Sequence, residues 1–135
     1  MFVLGLLSLQ FSGCAFDRHA IRQEDQEKSM LHTNATLHWQ GIRWNIPERA
    51  IQFYEDPLER ARFESEIKAS PKRYTEVTIL HVKLDSKEQT KNADWMRSAS
   101  VFVRTEGFGN DNILRVDEQE QYWYRNENGW WIVTQ

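Results

Sequence analysis

The residue pattern changes around Pro71, and that change does most to limit the fold. Downstream, RYTEVTILHVKLD (residues 73–85) is rich in Thr, Val and Ile and alternates in part, the pattern of a half-buried strand. SKEQTKNAD is a polar connection, WMRSASVFVRTE a second strand and GFGND a glycine-bearing hairpin loop. NILRVDEQEQYWYRN is the third and longest strand, and WWIVT closes as a fourth. NENG turns the chain between them, with Asn128 and Gly129 expected at the positive-φ centre of a tight turn. Successive hairpin-like connections predict an antiparallel meander. Upstream of Pro71 the signals are helical. Helices first and strands later predict an α+β domain, with the N-terminal helices packed on one face of a four-stranded antiparallel sheet.

Within the helical part, Leu31, Ala35, Leu37, His38 and Ile42 fall at helical spacing, with Trp39 flanking them. They predict a helix from about residue 25 to 40 that stops near Gly41. NIPERAIQFY opens a second helix, since Pro47 suits a first turn where its missing N–H costs nothing. DPLERARFESEIKAS is the clearest local signal: Asp56 caps, Pro57 takes the first position and Glu59 completes a capping box. Leu58, Ala61 and Phe63 flank one side of this third helix, with Ile67 further on, and Pro71 ends it by Ser70. Before all of these, DRHAIRQEDQEKS (Asp17–Ser29) reads as a solvated tether or the loose start of a helix.

A chain of 135 residues with 40% hydrophobic and 27% charged residues suits one globular domain and not a disordered chain. A net charge of −3 without a Lys/Arg cluster excludes nucleic acid as an expected partner. One cysteine cannot form an internal disulfide, and the histidines at 19, 32, 38 and 81 are too scattered for a zinc set. No glycine-rich phosphate loop or nucleophile elbow is present, so no cofactor and no metal are expected. The Trp39/Trp44 and Trp130/Trp131 pairs either pack in the core, the commoner role, or line a ligand pocket.

Residues 1–16 carry no Asp, Glu, Lys or Arg. The apolar run Phe2–Phe11 spans roughly 15 Å as a helix, about half of a hydrocarbon core, which is too short to cross a membrane but right for a secretory signal. Cys14 closes this stretch and is a core thiol, a nucleophile or an anchor. A nucleophile needs an activating neighbour, and none is recognisable. A core helix normally shows a polar stripe, and this run has only Ser8, Gln10 and Ser12. Phe11-Ser12-Gly13-Cys14 resembles a bacterial lipobox, with Phe11 where Leu is commoner and no Lys or Arg ahead of the run. The resemblance implies cleavage between Gly13 and Cys14, transfer of a diacylglyceryl group to the Cys14 thiol, acylation of the new N-terminus by a fatty acid such as palmitate, and attachment to the lipid bilayer. Ala15 in place of Asp after the cysteine implies the outer membrane, with the domain facing the periplasm of the cell envelope. Residues 1–13 are then a signal peptide, 14–29 the lipidated cysteine and polar tether, and 30–135 the domain.

The order of elements, ending in QYWYRNENGWWIV, resembles the nuclear transport factor 2-like superfamily with its cystatin-like cone and curved sheet. LHWQGIRWNIPERAIQFYEDPLERARFESEI is similar to small bacterial lipoproteins of unknown function. The superfamily's enzymes use the cone mouth: an isomerase needs a carboxylate base beside an oxyanion hole of Tyr and protonated Asp, and a dehydratase uses His with Asp. His81, Asp117, Tyr122 and Tyr124 are the candidate pocket residues here. A single strand histidine such as His81 is more often a packing or surface residue, and alternation puts about half of Asp117–Gln121 on a solvated face. The expected function is a non-catalytic, membrane-tethered binding or accessory domain for an envelope protein or a small apolar ligand. The alternative is a small isomerase- or dehydratase-like enzyme in the cone. By analogy with the superfamily, a homodimer through the sheet is a further expectation. Convergence of His81 or Asp117 with a tyrosine in an open pocket favours the enzyme, and a cone filled by Trp and Phe favours binding.

Overall fold

The computed structural model of the protein describes residues 13–85 and 97–134. Three helices, α1 (Gly13–Arg43), α2 (Pro47–Ile51) and α3 (Pro57–Ala69), precede four strands, β1 (Tyr74–Leu84), β2 (Arg97–Phe108), β3 (Leu114–Asn126) and β4 (Gly129–Ile132). The strands form one antiparallel sheet in the order β1-β2-β3-β4. This is the expected α+β fold, helices followed by a curved antiparallel sheet, consistent with a cone-like arrangement. Residues 1–12 of the expected signal segment lie outside the described residues. Gly13 and Cys14 enter the description only as backbone at the start of α1.

α1 is longer than the apolar pattern predicts, with 31 residues over about 46 Å. Asp17–Ser29, read as a solvated tether or the loose start of a helix, is therefore helical throughout. The reason lies in the stripe itself: Leu31, Ala35 and His38 are buried, and the same face continues backwards through Glu27 and Glu24. These carboxylates meet arginines of the sheet rather than apolar side chains. Arg97 reaches Glu24 at 3.3 Å and Glu27 at 3.3 Å, and Arg125 reaches Glu27 at 3.4 Å.

Gly41 does not stop the helix. A Cβ there would lie 2.6 Å from the Ala50 backbone nitrogen, so glycine is required for α2 to pack this closely against α1. The stop is Asn45, whose φ of 53° turns the chain while Ile46 N–H bonds the Gly41 carbonyl and Asn45 N–H bonds the Ile42 carbonyl. These two bonds form a Schellman termination. α3 begins as expected, with Pro57 in its first turn and the Asp56 side chain accepting from Leu58 N–H at 2.9 Å. The Glu59 carboxylate takes Arg62 at 2.8 Å instead of completing the capping box.

The core lies between α1 and the inner face of the sheet. Ala99, Val101, Val103 and Thr105 alternate inward from β2 and are buried together with Leu31, Ala35, Trp39, Phe53, Trp123, Trp130 and Ile132. One tryptophan of each predicted pair is in this core. Trp44 is instead 62% exposed under the Arg43 guanidinium, and Trp131 is half-buried. The β3–β4 turn also differs from expectation. Asn126 pairs with Gly129, so Glu127 and Asn128 form its centre, and only Gly129 has positive φ (132°). Asn126 Oδ1 accepts from Asn128 N–H at 2.9 Å and Trp131 Nε1–H at 2.8 Å, fixing the turn from its first residue and leaving glycine at the last.

Candidate functional site

α3 leans on α2 rather than on the sheet, and none of its residues is fully buried. Leu58 and Ala61, expected on its apolar side, are exposed, and only Phe63 and Ile67 turn inward. A cleft of about 760 Å³ opens between this helix and β3. Trp39, Ile42, Tyr54, Phe63, Ile67 and Tyr74 supply its apolar lining, and Arg62, Glu66, Lys72 and Glu120 its charged margin. Tyr54 and Phe63 stack at 4.2 Å with nearly parallel rings, and the Arg62 guanidinium covers Phe63 at 4.6 Å. This stack is what holds α3 at the rim.

The floor of the cleft is a closed polar network. The Trp39 and Trp123 indoles donate to Gln121 Oε1 at 3.2 and 2.9 Å. An indole N–H can only donate, so this oxygen is fixed and the Gln121 amide nitrogen must face His38, 3.2 Å from its Nε2. His38 Nε2 therefore accepts, and Nδ1–H donates to the Ala50 carbonyl at 2.6 Å. The imidazole is neutral, with its tautomer set by Ala50 and by Gln121, which the two indoles orient. Burial lowers its pKa to about 4, against the smaller raising effect of the Ala50 bond. Trp39, Phe53, Tyr54 and Trp123 meet the ring edge-on at centroid distances of 5.5 to 6.4 Å. Both ring nitrogens are engaged within the protein, so His38 has no nitrogen left to exchange a proton with a molecule in the cleft.

The four predicted pocket residues do not converge. His81 is exposed on the outer face of the sheet, paired in register with Phe102 at 5.5 Å between rings. Asp117 is exposed opposite Thr105 on the inner row of β3, beyond the cleft lining. Tyr122 borders the cleft, and Glu120 raises its pKa. Tyr124 borders a smaller recess of about 190 Å³ with Tyr54 and Glu55, where burial and then Glu55 push its hydroxyl up to about 12. Burial likewise raises Tyr54 and Tyr74, so all four tyrosines of the chain are neutral phenols at neutral pH. Among the described residues no group of three His, Cys, Asp or Glu is arranged to hold a metal ion, and no helix is long and apolar enough to cross a membrane.

Strand alternation predicts about half of Asp117–Gln121 on a solvated face. Asp117 through Glu120 are exposed, but Gln121 turns in and anchors the network. Its signal was present: it lies two residues before Trp123 and so on the same face of the strand. His38 was visible on the apolar stripe of α1 but not as the centre of a network. In comparisons with known proteins, no family model and no curated protein matches this chain.

Proposed function

We propose that the protein is a lipid-anchored envelope domain that binds an apolar side chain or ligand in the cleft beside β3 and performs no chemistry there. The carrying observation is the cleft itself, an open aromatic groove whose deepest titratable group, His38, is bonded through both nitrogens. A binding groove needs apolar walls and a few fixed polar groups, and Phe63, Ile67, Trp39 and the Gln121 amide fit that description. The cone is filled at its inner end by Trp39, Trp123 and Phe53, as a binding domain requires, and the alternative isomerase or dehydratase lacks a convergent His81 or Asp117.

The anchor rests on the lipobox-like Phe11–Cys14. α1 starts there, and Glu24, ten residues on, already reaches the sheet through Arg97. A helix covers about 15 Å over that length, so α1 serves as a short stalk between a lipidated Cys14 and the domain. Two or more acyl chains, at about 0.8 kcal/mol per buried methylene, hold such a domain stably on a bilayer.

Two measurements test this reading. Mass spectrometry of the mature N-terminus from the native gene should find acylated Cys14, and Cys14→Ser should leave the membrane fraction; an unmodified Cys14 would sink the anchor. Titration with the fluorescent apolar probe 8-anilinonaphthalene-1-sulfonate should give one saturable site that Phe63→Asp weakens at least tenfold. A probe response indifferent to Phe63 would overturn the cleft as the binding site.

A further inference from the structure

The two edges of the sheet are built differently. β1 forms one edge, and its pairing with β2 is broken twice, between Tyr74 and Glu76 and between Ile79 and His81. Such irregularities twist an edge and spoil it as a template. β3 pairs with β2 without interruption from Arg97 opposite Arg125 to Phe108 opposite Leu114. On its other side β4 covers only Trp123 to Asn126, and Val133 N–H adds one bond to the Tyr122 carbonyl. From Leu114 to Glu120, β3 has no second strand among the described residues.

Parity fixes which groups are open. Tyr122 directs its carbonyl toward β4, so Glu120, Glu118, Val116 and Leu114 also direct their N–H and C=O groups away from β2. Leu114 and Val116 are 52% and 51% exposed, and Asp117 through Glu120 are exposed too. The cleft runs along this edge, with Gln119 to Tyr122 on one side and Phe63 and Ile67 on the other.

We propose that the free half of β3 receives an extended peptide strand of a partner protein, with apolar side chains turned into the cleft and basic side chains on the opposite face. This rests on the cleft being a binding site and names its occupant. A strand added here continues the sheet past β4, and its residues alternate between two faces. On one face they lie in line with Asp117 and Gln119 and enter the groove before Phe63 and Ile67. On the other they stand beside Glu118 and Glu120, which calls for Lys or Arg. Charge argues against a second copy as the occupant. Leu114–Glu120 holds Asp117, Glu118 and Glu120 against Arg115 alone, and a two-fold pairing about Asp117 sets that carboxylate against itself.

The probe is an acetylated, amidated peptide of four Val-Lys repeats, added to the full-length chain in detergent. Hydrogen exchange followed by NMR should show at least tenfold slower exchange at the Leu114, Val116, Glu118 and Glu120 amides. Glu118→Pro removes one outward N–H without touching the β2 ladder and should weaken binding at least tenfold while Val101 and Val103 stay protected. Glu118→Gln with Glu120→Gln, which leaves the backbone unaltered, should weaken the Val-Lys peptide several-fold, and a Val-Glu peptide should not bind. Unchanged exchange at the four amides, or full affinity in Glu118→Pro, overturns strand addition. If the anilinonaphthalene probe still binds in that case, the cleft reading survives and only its occupant is wrong; if neither binds, both fail.

Discussion

Along α1, Glu24 and Glu27 meet the sheet through Arg97 and Arg125, whereas His38 and Trp39 meet it through the neutral network around Gln121. Both attachments join the same helix to the same sheet, and both bury polar groups. At the charged end, Arg97 and Arg125 stand directly opposite each other in register, an arrangement that repels unless an anion lies between them. Glu27 supplies that anion, with its side chain 10% exposed and that of Arg97 8%. At the neutral end the Trp39 and Trp123 indoles, the Gln121 amide and His38 bond to one another and no net charge is buried. The contrast teaches that the charged end fixes α1 against the sheet by compensating charges, and the neutral end by matching hydrogen bonds, so the two ends should answer differently to charge removal, pH and salt.

Removing the compensating charge should have the largest effect. Glu27→Gln leaves two inward arginines facing each other and should cost about 3–5 kcal/mol in chemical denaturation. A cost below about 1 kcal/mol would mean that solvent already compensates these arginines and that the two ends are not distinct.

The neutral end should respond to acid. His38 has a folded pKa of about 4 against 6.5 for an unconstrained histidine, because burial disfavours its charged form. Between these values the unfolded chain binds more protons than the folded one. The stability contributed by keeping His38 neutral is therefore fully present above about pH 6.5 and falls as the pH drops toward 4, by roughly 3 kcal/mol in all. Asp111, held down to about 2 chiefly by its bond to Arg115, titrates below this window. His38→Leu should flatten the slope between pH 6.5 and 4 whatever its effect on absolute stability. A slope unchanged in that variant would assign the acid response to other groups.

Gln121→Leu comes next. It keeps the volume close but strands two indole N–H groups and the His38 lone pair, and should cost about 2–3 kcal/mol with no dependence on salt. Gln121→Glu should be tolerated worse at neutral pH than at pH 5, because a carboxylate cannot donate to the neutral His38 nitrogen.

What the sequence revealed follows the same division. The order of elements, the Asp56 cap, the end of α3 and the apolar stripe of α1 are local or periodic, and these are legible. The start of α1 is not, because its stabilising partners Arg97 and Arg125 lie more than seventy residues away and its stripe there is acidic rather than apolar. Gly41 looked like a stop because its need for close approach to Ala50 is tertiary. The cleft was anticipated only as a cone mouth. Residue type suggested His81 and Asp117, but strand parity and register put one on the outer face and the other past the lining. Gln121 carries no catalytic reputation, and its role arises from three side chains that meet only in the folded chain.

The smallest expected effect bears most directly on the contrast. Glu24 also reaches Arg97, but its side chain is 54% exposed, so water screens the pair and the long side chain loses freedom in making it. Glu24→Gln should cost about 0.5 kcal/mol or less at low ionic strength, and the difference from the parent should vanish near 1 M salt, where the screening length is about 3 Å. Glu27→Gln, measured in the same two buffers, should keep most of its cost, since salt does not reach a side chain enclosed by two arginines. If both substitutions lose their cost in salt, the charged end is a surface feature and α1 is held mainly by the His38 network. If neither does, Glu24 is part of the buried cluster, and α1 is fixed to the sheet one turn closer to Cys14 than Glu27 alone would fix it.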